Sequence, residues 1–362
     1  MKQSIILFLL CSICLGQTDD WCMQHHDSQS TGISRETLPD SLKEKWVFEV
    51  EDGVKATAAI VKSNVYLSTV SGKVICVNLI EGKKIWEYTT ESTFSASPSV
   101  ISEVVYVGDE DGVVHALDAG SGKKLWEFTC EDKVISGVNY YKDKLIFGSY
   151  DHHLYCLSKK DGKLLWKLET DAPVHGTPCV VDTNAVIAGC DGLIRFINIE
   201  SGKEQGSVDG KSYFASAPTF GGDKVVIGSL NGDYYCIDYS QMKTLWSIEK
   251  KAGKGECYAS ALIDGDRAIF ASKKRRIFAV DIQSGKDIWQ YKTKSRIETS
   301  PIIVGDKIVF AEFSGRLHFI NKKSGKHIWT FETGSRIYAS PAVSQGYLII
   351  GCDDGTVYAL SK

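Results

Sequence analysis

The chain has 362 residues, 43% of them hydrophobic, and a formal net charge of -3. This composition is typical of a globular protein with a sizeable core, and it excludes the collagen-like and disordered classes. The charge gives no attraction to nucleic acid, and the most basic run, Lys273 to Arg276, falls where a hairpin turn is expected. We therefore predict that nucleic acid is not a partner.

The N-terminus has the layout of a secretory signal peptide. Lys2 precedes an apolar stretch from Ile5 to Leu15, and polar residues follow. The stretch is too short to span a bilayer, so we expect cleavage after Gly16 and no transmembrane segment. A lipid anchor at Cys14 is disfavoured because the residues before it form a poor lipoprotein motif. The mature protein is expected in the periplasm, on the cell surface or outside the cell.

Residues 17–44 form a predicted lead segment before the repeats. This segment contains His25, His26 and Asp27, which are residue types that bind metals. Adjacent side chains of an extended segment point to opposite sides, so the two histidines are not expected to share an ion. We predict a polar segment that packs along the domain and holds no metal.

The following residues repeat with a period of 40, which is lengthened to 43 between Trp246 and Trp289. The tryptophans that mark the repeat are Trp46, Trp86, Trp126, Trp166, Trp246, Trp289 and Trp329, and Gly206 stands where one more is expected. A lysine lies three residues before each of these eight positions, and a glycine precedes six of the lysines. Such a period indicates a solenoid or a propeller.

One repeat contains four short segments of strand character, at residues 95–101, 104–108, 113–117 and 124–128. Residues 109–112 and 118–122 separate the later segments and are rich in Asp, Gly and Ser, which favour turns. No segment has a helical hydrophobic period. Four antiparallel strands in each unit make a propeller blade.

Counting the units predicts an all-β, eight-bladed β-propeller over residues 45–362. Its innermost strands are expected to begin near Lys55, Ser95, Ser136, His175, Ala215, Tyr258, Glu298 and Tyr338. The chain ends after the third strand of the last unit, and residues 45–50 supply the missing outer strand. The ring should therefore close by pairing the N- and C-terminal strands, which removes exposed sheet edges.

Nine cysteines remain after the predicted cleavage, an odd number that cannot pair completely. Cys76, Cys156 and Cys236 occupy a repeat position that is alanine in other units. We predict that they are small buried apolar residues, and no cysteine spacing is typical of a zinc site.

Residues 116–126, with the sequence ALDAGSGKKLW, resemble the tryptophan-docking motif of PQQ-like, quinoprotein-type β-propellers, and residues 279–289 repeat it as AVDIQSGKDIW. The resemblance implies that the outer-strand tryptophan packs between blades, near the small residue ten positions earlier. Residues 21–32 are similar to the N-terminal lead segment of the same repeat proteins.

This family includes quinone-dependent dehydrogenases and non-catalytic scaffolds such as the BamB outer-membrane-assembly family. The dehydrogenases carry adjacent cysteines and large insertions, and this chain has neither. We therefore expect no cofactor, with PQQ as the alternative. The resemblance implies a binding scaffold for another envelope or secreted protein. A PQQ-dependent dehydrogenase-like enzyme and a small-ligand or glycan-binding propeller are the alternatives.

Propeller geometry predicts any site at one end of the central channel. The candidate residues there are Lys55, His175, Tyr258, Glu298 and Tyr338, with Arg296 and Arg336 just before two inner strands. In an enzyme, Glu298 or His175 could act as a general base and Lys55 could stabilise negative charge. In a scaffold, these side chains are polar groups in a solvated channel, and we assign no catalytic residue.

Overall fold

The computed structural model describes residues 19–249 and 256–362, which form eight antiparallel sheets of four strands. One sheet gains a fifth strand, β1 (Ile33–Ser34), which pairs in parallel with an inner strand. The prediction of an all-β, eight-bladed propeller is confirmed. The predicted signal peptide, residues 1–16, lies outside the described residues.

Each blade contributes one strand to each of four concentric rings. The innermost strands are β3 (Ala59–Val61), β7 (Ser99–Ile101), β11 (Asn139–Tyr141), β15 (Cys179–Val181), β19 (Thr219–Gly221), β23 (Leu262–Asp264), β27 (Ile302–Val304) and β31 (Ala342–Ser344). The second strands are β4 (Asn64–Ser68), β8 (Val104–Gly108), β12 (Lys144–Gly148), β16 (Asn184–Ala188), β20 (Lys224–Gly228), β24 (Arg267–Ser272), β28 (Lys307–Glu312) and β32 (Tyr347–Gly351).

The third strands are β5 (Lys73–Asn78), β9 (Val113–Asp118), β13 (His153–Ser158), β17 (Leu193–Asn198), β21 (Tyr234–Asp238), β25 (Arg276–Asp281), β29 (Arg316–Asn321) and β33 (Thr356–Ser361). The outer strands are β6 (Lys84–Thr89), β10 (Lys124–Thr129), β14 (Leu164–Glu169), β18 (Lys203–Asp209), β22 (Lys243–Ile248), β26 (Asp287–Lys292), β30 (His327–Glu332) and β2 (Lys43–Glu49). Blades 1 to 8 are numbered by their innermost strands, so β2 belongs to blade 8.

The core lies between the blades, at the second and third strands. These strands are almost continuously buried, as in β8, whereas outer strands such as β10 alternate between more and less exposed residues. A strand buried on both faces reads as an apolar run, and a half-covered one alternates. The innermost strands of neighbouring blades, for example β3 with β7 and β31, contact one another around the central channel.

The ring closes where β2 pairs antiparallel with β33, with Trp46 opposite Ala359. This confirms the predicted joining of the two ends of the chain in one blade. The edge that the third strand of blade 8 would otherwise expose is thereby paired.

The innermost strands begin three or four residues later than the sequence predicts. The residues expected at their starts, Lys55, Ser95, Ser136, His175, Ala215, Tyr258, Glu298 and Tyr338, lie instead in the segments that lead into those strands. These lead segments form no strand of their own sheet, and they also bond to the neighbouring blade. Val54 N donates to Cys352 O of blade 8 at 2.9 Å, and Val174 N donates to Ser149 O of blade 3 at 3.2 Å.

Six of the eight blades are fastened to the next by an outer-strand tryptophan and a turn glycine. Trp86 Nε1 of blade 1 donates to Ala119 O of blade 2 at 2.9 Å. A Cβ atom on Gly122 of blade 2 would lie 2.5 Å from the Trp86 ring, and Gly122 has a φ of 71°. Only glycine suits both the close approach and the left-handed backbone, which accounts for the repeated glycine-lysine pair.

In most blades a small residue ten positions before the tryptophan lies opposite it across the third and outer strands. Cys76 faces Trp86 and Cys156 faces Trp166 in this way. Both thiols are buried and free, and burial raises their pKa to about 12. They occupy space that alanine fills in other blades.

Candidate functional site

Residues 19–36, which we call the plug, cross one end of the central channel. The backbone of Trp21 exchanges two hydrogen bonds of 2.8 Å with Ile60 of blade 1. Cys22 O then accepts a hydrogen bond of 2.8 Å from Val100 N of blade 2. The plug thus begins by capping the innermost strands of the first two blades.

The rest of the plug continues around the ring. Ser28 O accepts from Val180 N of blade 4 at 2.7 Å, and β1 pairs with β27 of blade 7. The Glu36 carboxylate then accepts from the backbone N–H groups of Gln345 and Gly346 in blade 8. The channel is therefore closed at this end by a segment anchored on opposite sides of the ring.

The two histidines of the plug have separate partners. His25 is only 2% exposed, with Nδ1 2.7 Å from Ser30 O and Nε2 3.1 Å from Pro301 O. Burial lowers the pKa of His25, although the two carbonyls oppose this shift. His26 instead lies 3.4 Å from the Asp27 carboxylate. His25 therefore ties the plug to blade 7, and His26 makes a contact within the plug.

The other end of the channel, which we call the mouth, is formed by the lead segments and by the turns between second and third strands. A backbone hydrogen bond joins the two within each blade, as from Tyr150 N to Lys133 O at 3.0 Å and from Phe313 N to Arg296 O at 2.8 Å. Side chains from both segments therefore meet at the mouth.

A chain of contacts starts at blade 6. Lys273 Nζ lies 4.2 Å from the ring centroid of Tyr258, 2.7 Å from the Glu256 carboxylate and 3.6 Å from the Glu298 carboxylate. Glu298 in turn accepts a hydrogen bond of 2.5 Å from Arg296 Nε of the same blade 7 lead segment. Both glutamates are thus bound to cations.

Phe313 extends the contacts to blades 8 and 1. The Arg296 guanidinium carbon lies 3.5 Å from the Phe313 ring centroid, and that of Arg336 lies 5.3 Å from it. The ring of Tyr338 packs edge-on against Phe313 at 5.3 Å, and Lys55 Nζ lies 5.4 Å from the Tyr338 ring. We call the set from Tyr258 to Lys55 the mouth arc.

His175 lies apart from the mouth arc and has a different partner. Its Nδ1 is 2.5 Å from the hydroxyl of Tyr150, which belongs to the turn of blade 3. Burial, followed by the positive charge of Lys133, lowers the pKa of His175 to about 4. Burial also raises the pKa of Tyr150 to about 12, so the phenol is the donor to a neutral imidazole.

The structure thus brings six of the seven candidate residues into one arc and leaves His175 outside it. Sequence reasoning missed the turn residues Phe313, Lys273 and Tyr150, which link or cover the candidates. The sequence did contain a signal for them, because each occupies the same repeat position, one or two residues after the end of a second strand. Ser136 was also misplaced by one residue: Val134 matches buried Phe94, so Ile135 is the equivalent of Ser95.

The mouth arc consists of ion pairs and of aromatic rings that contact cations. Within residues 19–249 and 256–362, no three His, Cys, Asp or Glu side chains are grouped so that they could hold a metal ion. No helix in the same ranges is long and apolar enough to cross a membrane.

The eight blades and their docking tryptophans define a propeller built from PQQ-like repeats. The model of the family described as outer membrane protein assembly factor BamB matches residues 38–128, 110–211, 191–335 and 297–362. Because these matches together run from residue 38 to residue 362, the chain belongs to this family. No curated protein matches the chain.

Solved structures similar to this chain come from unlike proteins. BamB from Moraxella catarrhalis is 18% identical, with a TM-score of 0.78 over 89% of this chain and 98% of its own. The quinohemoprotein alcohol dehydrogenase from Comamonas testosteroni is 14% identical, with a TM-score of 0.79 over 95% of this chain and 80% of its own. The computationally designed Ika8 protein is 18% identical, with a TM-score of 0.77 over 87% and 98%. Similarity at this level establishes the fold alone.

Proposed function

We propose that the protein is an exported, non-catalytic propeller that binds another envelope or secreted protein through its mouth. Membership of the BamB family suggests that this binding serves the assembly of outer-membrane proteins. The observation that carries the proposal is the mouth arc, in which aromatic and arginine side chains from blades 6, 7 and 8 form one continuous surface with Lys55 of blade 1.

Side chains of these types dominate the binding energy of protein interfaces. Two tyrosines at the mouth are open to a partner: Tyr213 is 59% exposed and Tyr258 is 37% exposed. The arginines of the arc are already held against Phe313, so less side-chain entropy is lost when a partner orders them. The plug leaves the mouth as the accessible end of the channel.

The same contacts argue against general acid-base catalysis. A general base works best when its side chain is free to accept a proton and its pKa lies near the working pH. Glu298 is paired with Arg296 and lies 3.6 Å from Lys273, while Lys55 is 3.6 Å from the Asp353 carboxylate. His175, with a pKa of about 4, is a poor proton acceptor at neutral pH.

Quinone-dependent catalysis is the alternative that the dehydrogenase likeness raises. PQQ chemistry of this kind needs carboxylate ligands for a divalent ion beside the quinone. The carboxylates beside the mouth arc do not fit, because Glu256, Glu298 and Asp353 each face a lysine or an arginine. We expect no saturable change in tryptophan fluorescence when the protein is titrated with PQQ and Ca²⁺, and no dye reduction with alcohols. Saturable binding with turnover would make the mouth an active site.

Glycan binding is the remaining alternative. Sugars stack on open aromatic faces, but Lys273 lies over one face of the Tyr258 ring and Lys55 and Phe313 flank Tyr338. Tyr213 has an exposed ring, but one aromatic ring alone does not make a glycan site. The mouth arc therefore suits a protein partner better than a glycan.

Site-specific photo-cross-linking in the native host tests the proposal. A photoreactive phenylalanine analogue at Tyr213 should give a defined protein adduct, and the same group at exposed Lys123, in a turn at the plug end, should not. Arg336→Gln should weaken the Tyr213 adduct, because it removes an exposed cation of the arc. Equal adducts from both positions, or none from Tyr213, would contradict binding at the mouth.

A further inference from the structure

Blade 6 concentrates positive charge at the mouth. Its turn after β24 and the segment from the end of β26 hold seven cations and no acid: Lys273 to Arg276, Lys292, Lys294 and Arg296. The two segments touch, since Thr293 N donates to Arg275 O at 2.9 Å and Arg276 lies opposite Lys292 in the sheet. We call this surface the basic edge.

The equivalent segments of blades 8 and 2 have the opposite charge. Those of blade 8 hold five acids and no cation: Glu49, Glu51, Asp52, Asp353 and Asp354. Those of blade 2 hold four acids and one lysine: Glu110, Asp111, Glu131, Asp132 and Lys133. The basic edge therefore differs in charge from the corresponding surfaces of blades 8 and 2.

Most of this charge is not neutralised. Lys273 and Arg296 pair with Glu256 and Glu298, but within the described ranges the other five cations form no ion pair. Arg276 Nε is buried without a hydrogen-bond partner. Its equivalent in blade 7, Arg316, instead bonds to Glu312 and Glu332 at 2.9 Å each.

The basic edge also has a concave shape. A pocket of about 300 Å³ lies within it, lined by Lys273, Arg275, Lys294, Ser295 and Arg296. A further acid beside the pocket, Glu312, is fully buried and already accepts hydrogen bonds from the Lys294 and Ser295 backbone N–H groups. An anionic group in the pocket would meet several cations and no competing free carboxylate.

We propose that the basic edge binds an acidic segment of the partner protein, a short stretch rich in Asp or Glu carboxylates. Complementary charge of this kind steers association and selects the partner. A narrow peptide segment fits better than a membrane or a nucleic acid, because a broad anionic surface lying on the mouth would also meet the acids of blades 8 and 2. This inference rests on the proposed protein-binding function of the mouth.

Fluorescence anisotropy with labelled decaglutamate tests the inference on the full mature chain. We expect binding that weakens as NaCl is raised to about 0.3 M, since exposed charges are screened there. Arg275→Gln with Lys294→Gln should weaken binding about tenfold, because two exposed ion pairs are lost. The matched control, Lys123→Gln with Lys203→Gln, removes the same charge at the plug end and should bind as the parent does.

Equal affinity of the parent and the blade 6 variant, or equal loss in the control, would overturn the inference. Tighter binding to phosphatidylglycerol vesicles or duplex DNA than to decaglutamate, abolished by the same variant, would also overturn it in favour of those classes. Because decaglutamate replaces the natural partner, this result is independent of the cross-links from Tyr213 on blade 5. The two proposals can therefore fail separately.

Discussion

Gly206 of blade 4 and Met242 of blade 5 form an inverted version of the contact that joins most other blades. At six junctions a tryptophan packs on a glycine of the next blade, as Trp166 does on Gly202. Here a Cβ atom on Gly206 would lie 2.8 Å from Met242 Sδ, and Met242 has a φ of 51°. The methionine fills the space from the other side.

This inversion predicts a rescue. Gly206→Trp should destabilise the protein by about 1–3 kcal/mol, because the indole overlaps Met242 in a filled space. Adding Met242→Gly restores the usual pair and relieves a left-handed backbone, so the double variant should recover at least about 1 kcal/mol. Urea unfolding followed by circular dichroism gives the coupling. Additive losses would show that Phe196, opposite Gly206 in the sheet, also excludes the indole.

The fold could be predicted because its main contact recurs. Six of the seven repeat tryptophans meet a glycine at the same position of the next blade, so the contact recurs with the period of the sequence. The replacement of the tryptophan by Gly206 was visible too, and sequence reasoning matched it with Phe196. It missed Met242, which stands where six units carry glycine, because that contact joins different repeats.

The plug and the mouth arc could be predicted only in outline. The plug binds mainly through backbone N–H and carbonyl groups on the inner strands, and backbone groups leave no signal in the residue types. The arc depends on how far arginine and lysine side chains reach across blades, as Arg336 does to Phe313. Repeat alignment gives the positions of such residues but not their contacts.

Substitutions of Trp126 and Glu298 should differ strongly in their effect on stability. Trp126 packs against Gly162 of the next blade, so Trp126→Ala should cost about 3 kcal/mol. Glu298→Gln loses an ion pair with a partly exposed arginine and should change the free energy of unfolding by less than about 1 kcal/mol. Urea denaturation measures both. Equal destabilisation would mean that Glu298 has a structural role.

The plug should be separable from the ring by local opening. Trp21 is fully buried and its backbone pairs with Ile60, so Trp21→Ala should destabilise the plug by about 3–5 kcal/mol. Hydrogen exchange should then speed up at the Ile60, Val100 and Val180 amides, which donate to plug carbonyls. Amides of β4 serve as the control, since they bond within blade 1. Equal acceleration there would indicate that the ring unfolds together with the plug.

His175 should make stability depend on pH in a defined window. Its pKa is lowered from 6.5 to about 4, so the unfolded chain binds a proton as the pH falls below 6.5 while the folded protein does not. Unfolding is therefore favoured progressively between about pH 6.5 and 4, and the full stabilisation is present above that range. Protonation would also place an N–H on Nδ1, opposite the donor hydroxyl of Tyr150.

His175→Asn removes this proton uptake. Between pH 7.5 and 4.5 the variant should lose about 2 kcal/mol less than the parent, measured by urea unfolding at each pH. His25 and His318 also have lowered pKa values from burial, so some pH dependence should remain. The matched control is His152→Asn, an exposed residue with a φ of 68° that asparagine tolerates. An unchanged pH dependence in His175→Asn, with Tyr150 still in place, would show that the imidazole is not held neutral by its burial at the mouth.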